Sequence, residues 1–389
     1  MWPFRIVVLG SSLSALGVVR NAHSDNLTPV LFDTERGIAT RSSFAHVEVA
    51  NEAGEDTLLS RICSLGKVEQ SVLIGTSDRW LRFILKHREE LETSYERILH
   101  PKNPSLSICL EKKDFLQWCA GIGIPVPHFY TFFRERGLQS LPAAPEIRFP
   151  LLMRPSSTLH AADSGRVPKA MEVKNAGELR GALMLYYSAG TDVVATESLL
   201  GHRITQFSVP AARSRNGIVS FVTEKLRPLP LNCAVGTYVR LRPDRAIEDL
   251  ARYALDRLDY EGVAEVEILR SHDTGGDYMI EINARPWIQY NLATQSGHDF
   301  LRFLLDPESY DPSREIKSGK AWINFWDDFF ACFSRSVGLV RKGQVGLSEY
   351  LSSILRANVR SKFNLLDPYP WIFDAWENFS RFALRRMEP

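Results

Sequence analysis

Cysteine is scarce in this 389-residue chain. The five residues, Cys63, Cys109, Cys119, Cys233 and Cys332, are odd in number and widely scattered, and neither a C-x-x-C nor an H-E-x-x-H occurs. Neither a disulfide framework nor a zinc site is suggested, and a reducing, cytoplasmic compartment is the expectation. Charge of one sign is missing too. Lys and Arg (47) nearly balance Asp and Glu (46), leaving a net charge of +1, so bulk electrostatics give no argument for nucleic acid as a partner. No stretch approaches the roughly 18 uninterrupted apolar residues of a spanning helix. The opening MWPFRIVVLGSSLSALGVV has the look of a signal peptide, but serines and glycines interrupt it and its one basic residue lies inside the stretch. It reads better as a strand over Arg5 to Leu9, a turn over Gly10 to Ser12 and a helix, in a soluble protein. No internal repeat and no low-complexity tract occurs.

With 44% hydrophobic residues the chain can bury a core, and more than one domain. In the first third, RIVVLG, TPVLFDTE and SVLIGTSD read as strands ending in polar residues. Amphipathic stretches such as DRWLRFILKHREELETSYERIL, apolar at three- and four-residue spacing, read as helix. This alternation predicts a parallel, doubly wound sheet. From about Leu110 the pattern changes. A helix from Lys112 to Ala120 runs into the turn GIGIPVP. Strands are then expected at FPLLMRP, TDVVATE, ITQFSVPA and GIVSFVTEKL. The helix RAIEDLARYALDRLDY follows, then the strands VAEVEIL and YMIEIN. After Asp306 the chain reads as helical and aromatic-rich.

The stretch YMIEINARPW, Tyr278 to Trp287, carries the most chemistry. Glu281, Asn283 and Arg285 occupy every second position, which on an extended chain is one side. The neighbouring VAEVEIL adds Glu265 and Glu267. A carboxylate on each of two adjacent antiparallel strands, with an asparagine two residues on, supplies converging oxygen ligands. Magnesium takes such sites, using one or two carboxylates, waters and substrate phosphates. A guanidinium one pleat further reaches a phosphoryl group or a carboxylate bidentately. The alternative is an ordinary hairpin with Glu281 facing solvent.

Taken in order, several segments resemble the ATP-grasp carboxylate–amine ligases, in particular the group of D-aspartate ligase and similar carboligases. EVEIL and YMIEINARPWIQYNLATQSGHDF resemble the family's terminal signature, and LEKKDFLQWCAGIGIPVP its entry helix. FPLLMRP resembles the strand of the second ATP-binding lysine, VVATESLLG the hinge strand beside the adenine, and TEKLRPLP a basic strand of this group. VLIGTSDRWLRFILKHREEL resembles the preceding pre-ATP-grasp domain. The resemblance covers roughly residues 5 to 305, and the ordered succession is more specific than any one motif.

The resemblance implies a pre-ATP-grasp α/β domain over residues 1–109, an α+β ATP-grasp small lobe over 110–190, a large lobe with the metal site over 191–310, and a helical C-terminal extension over 311–389. It implies that ATP phosphorylates a carboxylate and that an amine displaces phosphate from the acyl phosphate, forming an amide. Glu267, Glu281 and Asn283 would hold Mg2+, or Mn2+. Lys112, or Lys113 one residue on, and Arg154 would hold ATP phosphates. Glu197 and the backbone after it would meet the adenine, with Gln206 near the ribose. Arg285 would grip the acyl phosphate, and Lys225 and Arg227 a phosphate or a substrate carboxylate. The implied partners are a small-molecule carboxylate, by default an amino acid, and an amine-bearing acceptor.

Departures from the family pattern are specific. Arg154 stands where a lysine is usual. The following loop SSTLHAADSGRVP is poor in glycine, leaving Ser156, Ser157 and Ser164 as candidates to cover the nucleotide, with His160 and His202 nearby. No acid occurs in GHRITQFSV, where many relatives bind ribose, and Gln206 is the substitute. These departures also fit a degenerate member that binds nucleotide without turnover. A further alternative, an NAD-dependent oxidoreductase, rests on VVLGSSLSALG with Asp33 ending the next strand, but Ser12 replaces the second glycine of that fingerprint. His23, His46, His87, His100 and His298 read as structural or surface residues. From Arg335 to Arg386, nine Lys and Arg stand against four Asp and Glu among several aromatic residues. That segment reads as an amphipathic cover or homodimer contact, or as peripheral docking to an anionic membrane surface.

Overall fold

The computed structural model describes residues 4–51, 53–68, 70–138, 147–156, 167–229, 235–311, 317–334 and 338–387. Its contacts divide the chain into two compact units. Unit 1 gathers residues 1–103, 208–265 and 283–389, and unit 2 gathers 104–207 and 266–282.

Unit 1 begins with a parallel five-stranded sheet of β1 (Arg5–Leu9), β2 (Thr28–Asp33), β3 (His46–Val49), β4 (Ser71–Gly75) and β5 (Arg97–Ile98), in the order β3-β2-β1-β4-β5. Val7 lies opposite Val30 on one side and Leu73 on the other. Ile6, Val7, Val8 and Leu9 are all fully buried, as expected of a strand covered on both faces. Ile6 and Val8 join a core with Leu16 and Val19 of the helix Leu13–Ser24. Val7 and Leu9 join a second with Ile62 and Trp80 of the helices Glu55–Gly66 and Asp78–Lys86. The doubly wound expectation is met here.

One expected helix is divided. The stretch beginning at Asp78 forms the helices Asp78–Lys86 and Arg88–Glu92, and then β5. At the break, the His87 ring reaches Glu55 at 2.8 Å. Beyond it, the amides of Glu96 and Leu99 bond to Ser71 and Leu73 carbonyls. The open edge of the sheet captures residues whose spacing alone would continue a helix.

Unit 2 holds an antiparallel sheet of β6 (Phe129–Phe132), β7 (Leu151–Pro155), β8 (Met171–Val173) and β9 (Val193–Glu197), ordered β6-β9-β7-β8. Leu151, Met153, Val193 and Ala195 pack with Leu179, Leu183 and Tyr186 of the helix Ala176–Ser188. The expected entry helix is present as Lys112–Gly121.

The remaining strands are β10 (Ile204–Ser214), β11 (Gly217–Ser220), β12 (Thr223–Leu229), β13 (Val235–Leu241), β14 (Gly262–Ser271), β15 (Asp277–Asn283), β16 (Ala321–Ile323) and β17 (Val359–Arg360). Their order is β15-β14-β10-β12-β13-β16-β17, with β11 beside β10. The single strand expected at GIVSFVTEKL is therefore two, interrupted at the buried Phe221 and Val222. The extension after residue 310 carries the helices Phe325–Phe333, Leu347–Arg356 and Tyr369–Met387. It also supplies β16 and β17, which the aromatic-rich sequence concealed, and Trp322 and Val359 enter the core of unit 1. Among the described residues no helix is long and apolar enough to cross a membrane.

Candidate active site

In unit 2, the helix Lys112–Gly121 projects Lys112 from its first turn, and Lys112 Nζ lies 3.3 Å from Glu281 Oε1 of β15. Lys113 turns elsewhere, to Asp114 at 3.5 Å and over the Phe133 ring. Of the two adjacent lysines, Lys112 is the one brought to another expected site residue. On β14, Glu267 accepts from Gln206 Nε2 of β10 at 3.5 Å. Gln206 thus lies beside one of the carboxylates expected to bind metal. The end of this hairpin is fixed by Arg270, whose guanidinium donates to both oxygens of Asp277 at 2.7 and 2.9 Å.

The small sheet of unit 2 carries Arg154 and Glu197. Arg154 lies opposite Val194, and Glu197 opposite Leu151. Period-two alternation therefore places them on opposite faces, Glu197 on the face that packs the helix Ala176–Ser188 and Arg154 on the other. Arg154 shares its face with Glu172, which lies opposite Leu152 and accepts from Ser198 Oγ. The backbone N–H of Glu197 donates to His128 O at 2.7 Å. Ser156 N–H donates to Asp192 O at 2.8 Å, and the His202 ring meets Ser271 Oγ at 3.1 Å. Ser157, His160 and Ser164 lie outside the described residues.

In unit 1 a buried polar cluster centres on Glu265. Its carboxylate accepts from Ser208 Oγ and, at 3.2 Å, from Asn283 Nδ2, with Lys225 Nζ 3.7 Å away. Glu265, Lys225 and Asn283 are all buried, so the charges are compensated locally, as burial requires. The stem of Lys225 lies over Gly236, where a Cβ would come within 3.1 Å of Lys225 Cγ. Arg285 donates through Nη2 to Asn283 Oδ1 at 3.3 Å and through Nε to Asp78 Oδ1 at 2.6 Å. Asn283 thus links the glutamate to the arginine. Nearby, His100 accepts from Gly75 N–H at 2.7 Å and bonds Ala284 O at 3.0 Å through its other ring nitrogen. Burial holds its pKa down at about 3, so the ring stays neutral, tying β4 to the residue between Asn283 and Arg285.

Arg227 is placed differently from the other expected residues. Lys225 lies opposite Val239 but Arg227 opposite Tyr238, because the strand bulges at Leu226. Two residues apart on a regular strand would share a face; the extra residue turns Arg227 to the other. There it donates to both oxygens of Asp328 at 2.7 and 2.9 Å and stacks 4.1 Å from the Tyr238 ring. The dinucleotide alternative meets a similar obstacle. Asp33 accepts from Ser11 Oγ at 2.6 Å, from Thr34 N–H at 2.8 Å and from Trp80 Nε1 at 3.3 Å, so its carboxylate is already engaged within the protein.

Among the described residues, no group of three or more His, Cys, Asp or Glu side chains is arranged to hold a metal. The expected set of two carboxylates and an amide is all-oxygen, which suits a hard divalent cation completed by waters and phosphates. The ammonium beside Glu281 shows that this carboxylate already accommodates a positive charge. Sequence reasoning passed over Asp78 and Ser208 as site residues and noticed Glu265 only as a neighbour of Glu267. The signal for Glu265 was its place two residues before Glu267; Asp78 and Ser208 offered none.

No protein-family model matches the sequence, and no curated protein matches it. Solved structures do. A carboxyaminoimidazole ribonucleotide synthase from Aspergillus clavatus complexed with ATP is 16% identical with a TM-score of 0.63, over 82% of this chain and 81% of that one. An L-amino acid ligase from Bacillus licheniformis is 14% identical with a TM-score of 0.62, over 82% and 79%. A biotin carboxylase from Campylobacter jejuni in an ATP complex is also 14% identical with a TM-score of 0.62, over 82% and 74%. At these identities the likeness is one of architecture, and that architecture is the ATP-grasp fold.

Proposed function

We propose that the protein is an ATP-dependent carboxylate–amine ligase. The observation that carries this reading is the approach of Lys112 to Glu281, on a strand adjacent to the one bearing Glu267, within an ATP-grasp fold. Two carboxylates and a lysine so disposed suit a magnesium–nucleotide complex better than a solvent-facing hairpin. The likeness to an L-amino acid ligase and to a synthase solved with ATP supports the same reading.

In this reading a substrate carboxylate oxygen attacks the γ-phosphorus of ATP, the bond to the bridging oxygen breaks, and ADP leaves. The amine of the second substrate adds to the acyl carbon, phosphate departs with its oxygen, and the amine loses a proton. Bound Mg2+ or Mn2+ supplies charge neutralisation on the phosphates, with Glu267, Glu281 and Asn283 as its protein ligands. Lys112 and Arg154 hold phosphate oxygens, the segment at Glu197 receives the adenine, and Gln206 orients Glu267. Arg285, oriented by Asp78 and Asn283, grips the activated acyl group. Lys225 acts as a buried cation behind Glu265 and Asn283 and keeps the amide of Asn283 oriented. Arg227 ties the extension to the sheet.

The test is phosphate release from Mg–ATP across a panel of carboxylate and amine pairs, beside Glu281→Gln. Release should require both substrates and fall about 100-fold in the variant, the scale of losing one electrostatic stabiliser. ATP binding without release above the variant's level for any pair would instead identify a nucleotide-binding protein without ligase turnover.

A further inference from the structure

Over its described side chains, residues 369–380, the helix Tyr369–Met387 carries an apolar stripe outward. Tyr369, Ile372, Trp376 and Phe379 follow helical spacing and are all exposed, Trp376 to 72% and Phe379 to 63%. The inward side mixes apolar and polar residues, Pro370 and Phe373 beside Asp374. Asp374 is buried and bound by Lys362 Nζ at 2.6 Å, and the adjacent Phe373 lies under the Arg41 guanidinium at 4.0 Å. An amphipathic helix that only covered a core would be turned the other way.

A second helix of unit 1 repeats the pattern. On Leu347–Arg356, Leu347, Leu351 and Leu355 are exposed, Leu355 to 87%, while Tyr350 and Ser353 are buried. An unbroken run of ring contacts joins the two helices, from Phe379 to Trp326, Phe329, Phe333 and Tyr350. The run includes the exposed Phe329 and ends at the buried Tyr350, so the two outward apolar rows lie on helices joined through one aromatic cluster.

The charges of the same segment are sorted. Of its four acids, Asp367 is fully buried on Arg20, Asp374 is buried and held by Lys362, Glu377 is half-buried, and Glu349 is exposed. Arg341, Lys342, Arg356 and Arg360 are exposed. Aromatic and leucine side chains facing outward beside four exposed bases, with two of the four acids buried, complement a surface of anionic headgroups over hydrocarbon. We propose that this face of the extension docks peripherally on an anionic lipid bilayer. The aromatic rings and leucines enter the headgroup boundary, and the arginines meet phosphate.

The experiment is flotation of the full chain with vesicles of phosphatidylcholine containing phosphatidylglycerol, and with vesicles of phosphatidylcholine alone. Binding should be strong only to the former and weaken as salt is raised. A Leu355→Ser/Trp376→Ser variant and, separately, an Arg356→Glu/Arg360→Glu variant should each bind at least tenfold more weakly while keeping the wild-type melting temperature. Absence of flotation with phosphatidylglycerol, or undiminished flotation of both variants, overturns the proposal. So does a lipid-free dimer that the Leu355/Trp376 variant converts to monomer, since the face would then belong to a second copy of this chain.

Discussion

Asn21 holds two carboxylates at once, donating from Nδ2 to Asp25 at 2.9 Å and to Asp299 at 3.0 Å. Burial, then the hydrogen bond and charge of Asp299, push Asp25 up to about 8. The folded chain therefore keeps a proton on Asp25 that the unfolded chain releases near pH 4. Between those values the folded state binds more protons, so this group's contribution is complete below about pH 4 and is lost as pH rises to about 8. Asp25→Asn should abolish that decline. The check is the difference in melting temperature between variant and wild type from pH 4 to 9, which should widen in the variant's favour up to about pH 8 and then level. At this scale the sequence was partly legible. The two adjacent strands were readable, with Glu265 and Glu267 two apart on one and Glu281 and Asn283 two apart on the other, and so was His100 as a structural residue from its isolation. Asp78, 207 residues from Arg285, was not, because no local pattern marks a partner so distant.

Elements were legible where their own periodicity decides and illegible where a neighbour does. The helix Ala176–Ser188, which the sequence reading passed over, carries its own start signal. Asn175 Oδ1 accepts from Glu178 N–H at 2.9 Å, and the Glu178 carboxylate accepts from Lys174 N–H at 2.8 Å and from the Asn175 amide at 2.7 Å. Asn175→Ala should cost about 1 kcal/mol, read as a lower urea midpoint at unchanged slope. The bulge at Leu226 shows the opposite case. TEKLRPL reads as one continuous strand, and only pairing with Val239 and Tyr238 reveals the residue that turns Arg227 toward Asp328. β16 and β17 were concealed similarly, since strands of three and two residues have too little length for a period to show.

Across the whole chain, compactness does not follow sequence order. Unit 1 collects three separate stretches, and a linear reading has no means of assigning residues 208–265 and 1–103 to one body. The third stretch, 283–389, is tied to 1–103 by contacts such as that of Asp367, which is fully buried and accepts from Arg20 Nε at 3.0 Å, Ser42 Oγ at 2.9 Å and Ser43 N–H at 2.9 Å. Asp367→Ala would leave the Arg20 guanidinium buried without its counter-charge. The expected loss is about 3–5 kcal/mol, measured by chemical denaturation, with Asp367→Glu recovering part of it. The two short strands of the extension carry a different consequence. β16 pairs with β13 through Tyr238, Val239 and Arg240, and β17 pairs with β16. A chain cut before Ala321 would present the bared flank of β13 to solvent, with amide and carbonyl groups ready to zip onto another molecule. Such a shortened protein should precipitate or form fibrous assemblies, so the extension guards solubility.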